Sequence, residues 1–317
     1  MSHVRLQEVR VFAPATVANV ACGFDVLGLA IEQPGDEVVA RLSSRPGLRI
    51  AAVTGDGGRL PLEPERNTAG VAALALLRRL GRESEGVELE IHKRMPFGSG
   101  LGSSAASAVG GAFAVNRLLG EPFPRVGLLP FAVEGEAAAD GAWHADNVAP
   151  CLLGGITLIR SNVELDVAPV PIPSRLWVAV VHPDIVILTK EAREILPREV
   201  PLGTATRQTG NLGGLLCGLH ASDYRLIGRS LQDLIAEPHR ARLIPAFSAA
   251  RDAALSAGAL GFSISGAGPS VFALCEGEIA ARRVAEAVAA AFAAIPLKAT
   301  PYVSPVNPRG VHVLSER

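Results

Sequence analysis

The segment M-P-F-G-S-G-L-G-S-S-A-A-S at residues 95–107 decides how the rest of this chain is read, because it fits a backbone cradle for phosphate oxygens. Before it, residues 87–93 alternate apolar Val87, Leu89 and Ile91 with Glu88, Glu90 and His92, the period-2 pattern of a half-buried strand. After it, Ala105, Val109, Ala112 and Phe113 recur at helical spacing until Gly120 and Pro122 punctuate the end. The glycines therefore sit between a strand end and a helix start. There the first N–H groups of the helix lack internal partners, and the macrodipole places about half a positive charge. An anion is the natural occupant.

Working outward, 317 residues suffice for two domains on a prior of roughly 100–200 residues each. Hydrophobic content of 49% supplies the core, while only 4% aromatics means an interior of small aliphatics. The net charge is −1 with Lys and Arg dispersed, so no nucleic-acid footprint is expected. The opening residues lack the apolar core of a signal peptide, and no run approaches the ~18 apolar residues of a membrane span. Cys22, Cys151, Cys217 and Cys275 lie far apart with no C-x-x-C pair, which opposes a zinc site or a disulfide framework. A cytoplasmic location is the expectation, with no membrane partner.

Residues 4–12 and 36–42 read as strands, the second after a turn at Pro34 and Gly35. Asn67 can cap a helix whose Val71, Leu74, Leu77 and Leu80 share one stripe, ended by Gly81. A further helix at 126–139 runs into the irregular G-A-W-H-A-D-N-V-A-P at 141–150, and the apolar residues 151–159 follow. This closes a first domain at residues 1–165. Pro-rich residues 168–174 read as a crossover into a second domain, 166–317, whose first strand is the apolar run 176–181. Helical spacing recurs at 188–196, 207–219, 224–234, 247–257 and 278–294; strands at 262–264 and 270–275 flank a glycine turn, and the tail, with 299–303 and 310–314, supplies a last strand or two.

The glycine loop contains no G-x-x-x-x-G-K-[ST], and its G-x-G-x-G spacing is not that of a dinucleotide fold. Paired hydroxyls at Ser103 and Ser104 fit a triphosphate with Mg²⁺, though alone they also read as a simple helix N-cap.

Residues Pro96, Phe97, Gly98, Ser99, Gly100, Leu101, Gly102, Ser103, Ser104, Ala105 and Ala106 resemble the P-x-x-x-G-L-G-S-S-A loop of the GHMP kinases. Residues 13–30, A-P-A-T-V-A-N-V-A-C-G-F-D-V-L-G-L-A, are similar to a segment of the homoserine kinase family within that superfamily. E-G-E-x(7)-H-A-D-N-V-A-P (134–150), T-K-E-A-R (189–193), E-P-H-R (237–240) and S-G-A-G-P-S (265–270) follow in the family's order. The resemblance implies an α+β, two-domain GHMP kinase fold, with a ribosomal protein S5 domain 2-like N-terminal domain and a ferredoxin-like C-terminal domain. It also implies ATP-dependent phosphorylation of L-homoserine to O-phospho-L-homoserine in threonine biosynthesis, with ATP on the 96–106 loop and a homodimer as a compatible assembly.

Homoserine is a zwitterion with a primary hydroxyl, so its site needs cations for the carboxylate and an acceptor for the ammonium. The resemblance assigns Arg193 and Arg240 to the carboxylate, Asp25 to the ammonium and Asn19 to the attacking hydroxyl. It places His144, Asn147, Thr189 and Gly266 around the same substrate. Ser104 and Glu136 would hold Mg²⁺, with Glu134 as the competing carboxylate, and Ser103 would help to hold the phosphates. Asn19, Asp25, Ser104 and Glu136 form the expected catalytic set, without an assigned general base. The chain departs from the family's N-L-G-x-G-F-D at Ala21, which replaces a glycine. An ordinary φ is expected there, since a left-handed alanine costs about 1 kcal/mol. Neighbouring Cys22 reads as a small buried hydrophobe or as a reactive thiol near substrate.

Overall fold

The computed structural model describes residues 6–141 and 143–317, leaving aside the side chains of residues 139 and 140. Positions 4 and 5 of the first expected strand lie outside the described residues.

β1 (Glu8–Ala18) and β2 (Leu27–Leu42) form a long antiparallel hairpin, from Glu8 opposite Arg41 to Ala18 opposite Gly28. Both outrun the expected strands. Residues 13–18 and 27–31 are continuously buried, so the alternation that marks a half-exposed strand is lost where both faces are covered. β3 (Leu48–Thr54) leads to α1 (Thr68–Leu80), capped by the Asn67 side chain accepting from Ala69 N at 3.1 Å and ended by left-handed Gly81. β4 (Val87–His92) then enters antiparallel to β2 and parallel to β3.

α2 (Ser103–Leu118) leaves the glycine loop and lies almost wholly buried on the sheet. Its small residues allow that approach: a Cβ on Gly110 would stand 2.6 Å from Val38 Cγ2, and one on Gly111 2.5 Å from the Ala69 carbonyl oxygen. α3 (Leu129–Asp140), α4 (Val148–Leu153), β5 (Ile156–Ser161) and β6 (Asp166–Val170) complete this part, with β5 pairing to β2 and β6 to β5.

β7 (Leu176–Pro183) opens a second sheet. Five helices follow it, α5 (Thr189–Glu194), α6 (Leu202–Ala221), α7 (Tyr224–Ser230), α8 (Glu237–Arg240) and α9 (Phe247–Ser256). Then come β8 (Gly261–Ile264), β9 (Val271–Glu276), α10 (Glu278–Ala293) and β10 (Ala299–Pro305). The strand order β10-β7-β9-β8, antiparallel throughout, is that of a ferredoxin-like sheet. Finally β11 (His312–Glu316) returns to pair with β1.

The division expected at residue 165 thus falls inside the first sheet, which also contains β6 and β11. The prolines at 168–174 concealed the first of these. β6 is an edge strand, where Pro169 removes no ladder hydrogen bond that the sheet needs.

Candidate active site

The glycine loop is anchored by a buried ion pair between Asp36 of β2 and Lys93, just beyond β4. Asp36 Oδ1 accepts from the N–H groups of Arg94 (2.7 Å) and Met95 (3.0 Å), and Oδ2 from the Ser103 hydroxyl (2.8 Å). Lys93 Nζ also donates to the Ser103 carbonyl and to Ser107 Oγ, both at 2.7 Å. One carboxylate therefore ties β2 to the loop entry and to the first turn of α2. Neither residue was marked by sequence reasoning; the available signal was a charge at the start of one strand pattern and at the end of another. The Ser103 hydroxyl, expected beside the phosphates, donates here to Asp36.

Gly98, Gly100 and Gly102 have φ of 61°, 75° and 68°, the left-handed region that glycine occupies without strain. Close approach requires them as well. A Cβ on Gly100 would stand 2.5 Å from the Ser265 carbonyl oxygen, and one on Gly102 2.1 Å from Thr16 Oγ1. The loop is gripped from both sides: Thr16 N donates to the Leu101 carbonyl at 3.0 Å, Ser265 Oγ to the Gly100 carbonyl at 2.7 Å, and Ser270 N to the Ser99 carbonyl at 3.1 Å. The S-G-A-G-P-S turn between β8 and β9 thus lies against the loop.

At the start of α2, Ser104 Oγ donates to Glu136 Oε1 of α3 at 2.8 Å. Glu136 is buried, whereas Glu134 is exposed, because two helical residues stand about 200° apart around the axis. These are hard oxygen donors of the kind Mg²⁺ takes. Among the described residues no three His, Cys, Asp or Glu side chains converge into a metal cluster, so an ion at this pair would complete its shell with phosphate oxygens and water.

Residues 19–25 form an unusual turn. Asn19, Val20 and Ala21 have φ of 69°, 42° and 60°, and Asp25 has 57°. The ordinary φ expected of Ala21 is therefore corrected: the chain places alanine, and even β-branched valine, in left-handed backbone. Such strain persists where surrounding bonds over-determine it. Here Asn19 Nδ2 donates to the Gly266 carbonyl (3.1 Å), while Asn19 Oδ1 accepts from Asp25 N (3.0 Å).

Arg193 of α5 grips Asp25 bidentately, with Nη2 to Oδ1 at 2.9 Å and Nη1 to Oδ2 at 3.0 Å. Arg240 of α8 is 4% exposed and donates to the carbonyls of Gly266 (2.8 Å) and Ala192 (3.1 Å). Burial, reinforced by the neighbouring Arg193 charge, lowers its pKa from the ordinary arginine value. Both guanidinium groups lie over the Phe24 ring, 5.6 Å and 5.2 Å from its centroid. The structure thus brings Asn19, Asp25, Arg193, Arg240 and Gly266 together.

His144 is buried with Nδ1 3.0 Å from Asp146 Oδ1. Asn147 Oδ1 accepts from Thr16 Oγ1 at 2.7 Å beside Gly102, so this group braces the glycine loop. Thr189 stands at the first position of α5, the helix that carries Arg193. Cys22 is buried, and desolvation pushes its thiol up to about 12, which favours the small-hydrophobe reading over a reactive thiol.

This geometry has known counterparts. The GHMP kinases N terminal domain matches residues 67–155, and the GHMP kinases C terminal domain matches residues 215–294. The homoserine kinase of Chlorobium phaeobacteroides is 49% identical across 98% of this chain and 100% of its own length. This chain belongs to the homoserine kinase family of the GHMP kinases. A crystal structure of homoserine kinase from Cytophaga hutchinsonii superposes with a TM-score of 0.95 at 52% identity, covering 99% of both chains. Mevalonate kinase of L. major in complex with R-mevalonate reaches a TM-score of 0.70 at 16% identity over 93% of this chain and 95% of its own, a likeness of fold alone. Among the described residues no helix is long and apolar enough to cross a membrane.

Proposed function

We propose that this chain transfers the γ-phosphoryl group of ATP to the side-chain hydroxyl of L-homoserine, yielding O-phospho-L-homoserine and ADP, the step that commits homoserine toward threonine. The observation that carries the reading is that Asn19 and Arg240 both donate to the Gly266 carbonyl, in a turn that also grips the glycine loop, while Asp25, bonded through its N–H to Asn19, pairs with Arg193.

Phosphoryl transfer asks for alignment and charge neutralisation more than for covalent help. The N–H groups at the start of α2 face the phosphates. Ser104 and Glu136 would hold Mg²⁺, which supplies neutralisation of phosphate charge when bound. Asn19 retains a second lone pair on Oδ1 and a second N–H with which to orient the homoserine hydroxyl. That oxygen bonds to the γ-phosphorus as the bond to the β–γ bridging oxygen breaks, and its proton leaves to a phosphate oxygen or water. No general base is required.

The Asp25–Arg193 pair fits a zwitterionic substrate. Each partner already offers the other the charge that homoserine would bring, guanidinium in place of ammonium and carboxylate in place of carboxylate. Homoserine entering between them exchanges one ion pair for two, with Arg240 adding a further cation for the carboxylate. A hydroxy acid without an ammonium, such as mevalonate, would part the pair and leave Asp25 uncompensated, which is costly at a partly buried site. Cytoplasmic work as a homodimer belongs to the same reading.

ADP release across homoserine, mevalonate, galactose and no acceptor tests the proposal. Homoserine alone is expected to raise the rate, with O-phospho-L-homoserine as product; a rate no faster than the acceptor-free background with homoserine removes it.

A further inference from the structure

Gln208 lies in the middle of α6, is 7% exposed, and touches neither the glycine loop nor the Asp25–Arg193 pair through any hydrogen bond it makes. Its amide nevertheless joins the two segments that carry the substrate-reading side chains. Nε2 donates to the Cys22 carbonyl at 3.0 Å, within the left-handed turn, and to Asp233 Oδ1 at 3.1 Å. Oε1 accepts from Leu234 N at 2.8 Å.

Asp233 in turn shapes the approach to α8. Oδ1 accepts from the N–H groups of Ile235 (2.8 Å) and Ala236 (3.0 Å), and Oδ2 from that of Glu237 (2.8 Å). With its first turn fixed this way, α8 delivers Arg240 to the Gly266 carbonyl, the same oxygen that accepts from Asn19. The two segments are thereby joined at two points, Gly266 on one side and Gln208 with Asp233 on the other. Between the joints lies a cavity of about 10 Å³, walled by Asn19, Ala21, Asp233, Glu237 and Arg240 among others.

We infer that Gln208, acting with Asp233, is a positioning residue that sets the spacing between the Asn19–Asp25 turn and Arg240, and so sets affinity for the amino-acid substrate. The inference rests on the homoserine reading above. The left-handed turn is strained at Val20 and Ala21 and depends on outside bonds to keep its shape. Only glutamine's length and paired donor and acceptor satisfy a backbone carbonyl, a carboxylate and a backbone N–H together. The glycine loop expected to carry ATP makes no hydrogen bond to Gln208, so ATP binding should not sense the change.

Gln208→Met keeps length and volume while deleting the amide, and Asp233→Asn keeps one acceptor oxygen for the α8 approach. Steady-state kinetics with each substrate varied, together with calorimetric Kd for homoserine and melting curves, read the result. In Gln208→Met the KM and Kd for homoserine are expected to rise roughly tenfold, the loss of one to two net hydrogen bonds, with kcat and the KM for ATP within twofold. Asp233→Asn should shift the same parameter, and the double variant should fall short of the product of the two effects because they break one network. A homoserine KM within twofold of wild type in folded variants overturns the inference. So does a parallel rise in both KM values, or failure of both variants to fold, since either makes the pair general scaffolding. Wild-type enzyme without homoserine-stimulated ADP release is a distinct outcome; it removes the kinase reading first and this inference with it.

Discussion

Asp25 sits in left-handed backbone with both carboxylate oxygens on Arg193, a pairing that in the proposed complex gives way to the homoserine ammonium, so its charge serves binding and not removal of the hydroxyl proton. Asp25→Asn keeps the shape and removes the charge, so the KM for homoserine should rise about tenfold or more while kcat at saturation falls less. A large loss of kcat at unchanged KM would instead make Asp25 the base. For the phosphate side, Glu136→Gln should lower kcat roughly 100-fold and raise the Mg²⁺ concentration needed for half activity. Exposed Glu134→Gln should stay within twofold, and the reverse order of effects would exchange their roles. Residues within contiguous motifs were legible in the sequence because each motif places several chemical groups at fixed spacing. Asp36, Lys93, Gln208 and Asp233 were not, since a single polar residue in a strand or helix acquires meaning only from a partner tens of positions away. The left-handed Ala21 escaped for the same reason: local propensity argues against it, and tertiary bonds decide.

Among the elements, the strand-loop-helix unit around residues 95–107 was readable from periodicity, but what fixes its geometry was not. Lys93 and Asp36 are almost fully removed from water, so Lys93→Met leaves a buried carboxylate without its cation. Three other donors remain on that carboxylate, which holds the expected cost to about 3 kcal/mol, near the lower end for breaking a buried pair. For a 317-residue chain unfolding as one unit the melting temperature should fall by roughly 4–5 °C on that basis, as calorimetry would show. An unchanged melting temperature would contradict an anchoring role. In α8, burial raises the pKa of Glu237, with the Ser263 hydroxyl and Arg251 opposing the shift. Its folded pKa thus lies above the unfolded value, so the stability it contributes is full at low pH and is lost as pH rises through the folded pKa. Glu237→Gln should therefore melt increasingly higher, relative to wild type, as pH rises from about 4 to 7. A difference that stays flat, or that grows toward acid, would refute the assignment.

Across the whole molecule, the site lies on the seam between the two sheets. Gly266 N reaches the Ala18 carbonyl, Ser270 N the Ser99 carbonyl, Arg193 reaches Asp25 and Gln208 reaches Cys22, so the bonds that join the halves also shape the proposed substrate pocket. The fold class and the ferredoxin-like second sheet follow what the motif resemblance implies, while buried strands and amphipathic helices announce only the separate elements. The return of β11 to the first sheet does not, since pairing of strands some 300 positions apart leaves no local pattern. A ternary complex with homoserine and a non-hydrolysable ATP analogue tests the account most directly. The account predicts that Asp25 leaves Arg193 for the homoserine ammonium, that Arg193 and Arg240 hold its carboxylate, and that its hydroxyl lies beside Asn19 facing the γ-phosphate on the glycine loop. Homoserine bound elsewhere, with the Asp25–Arg193 pair intact, would contradict it.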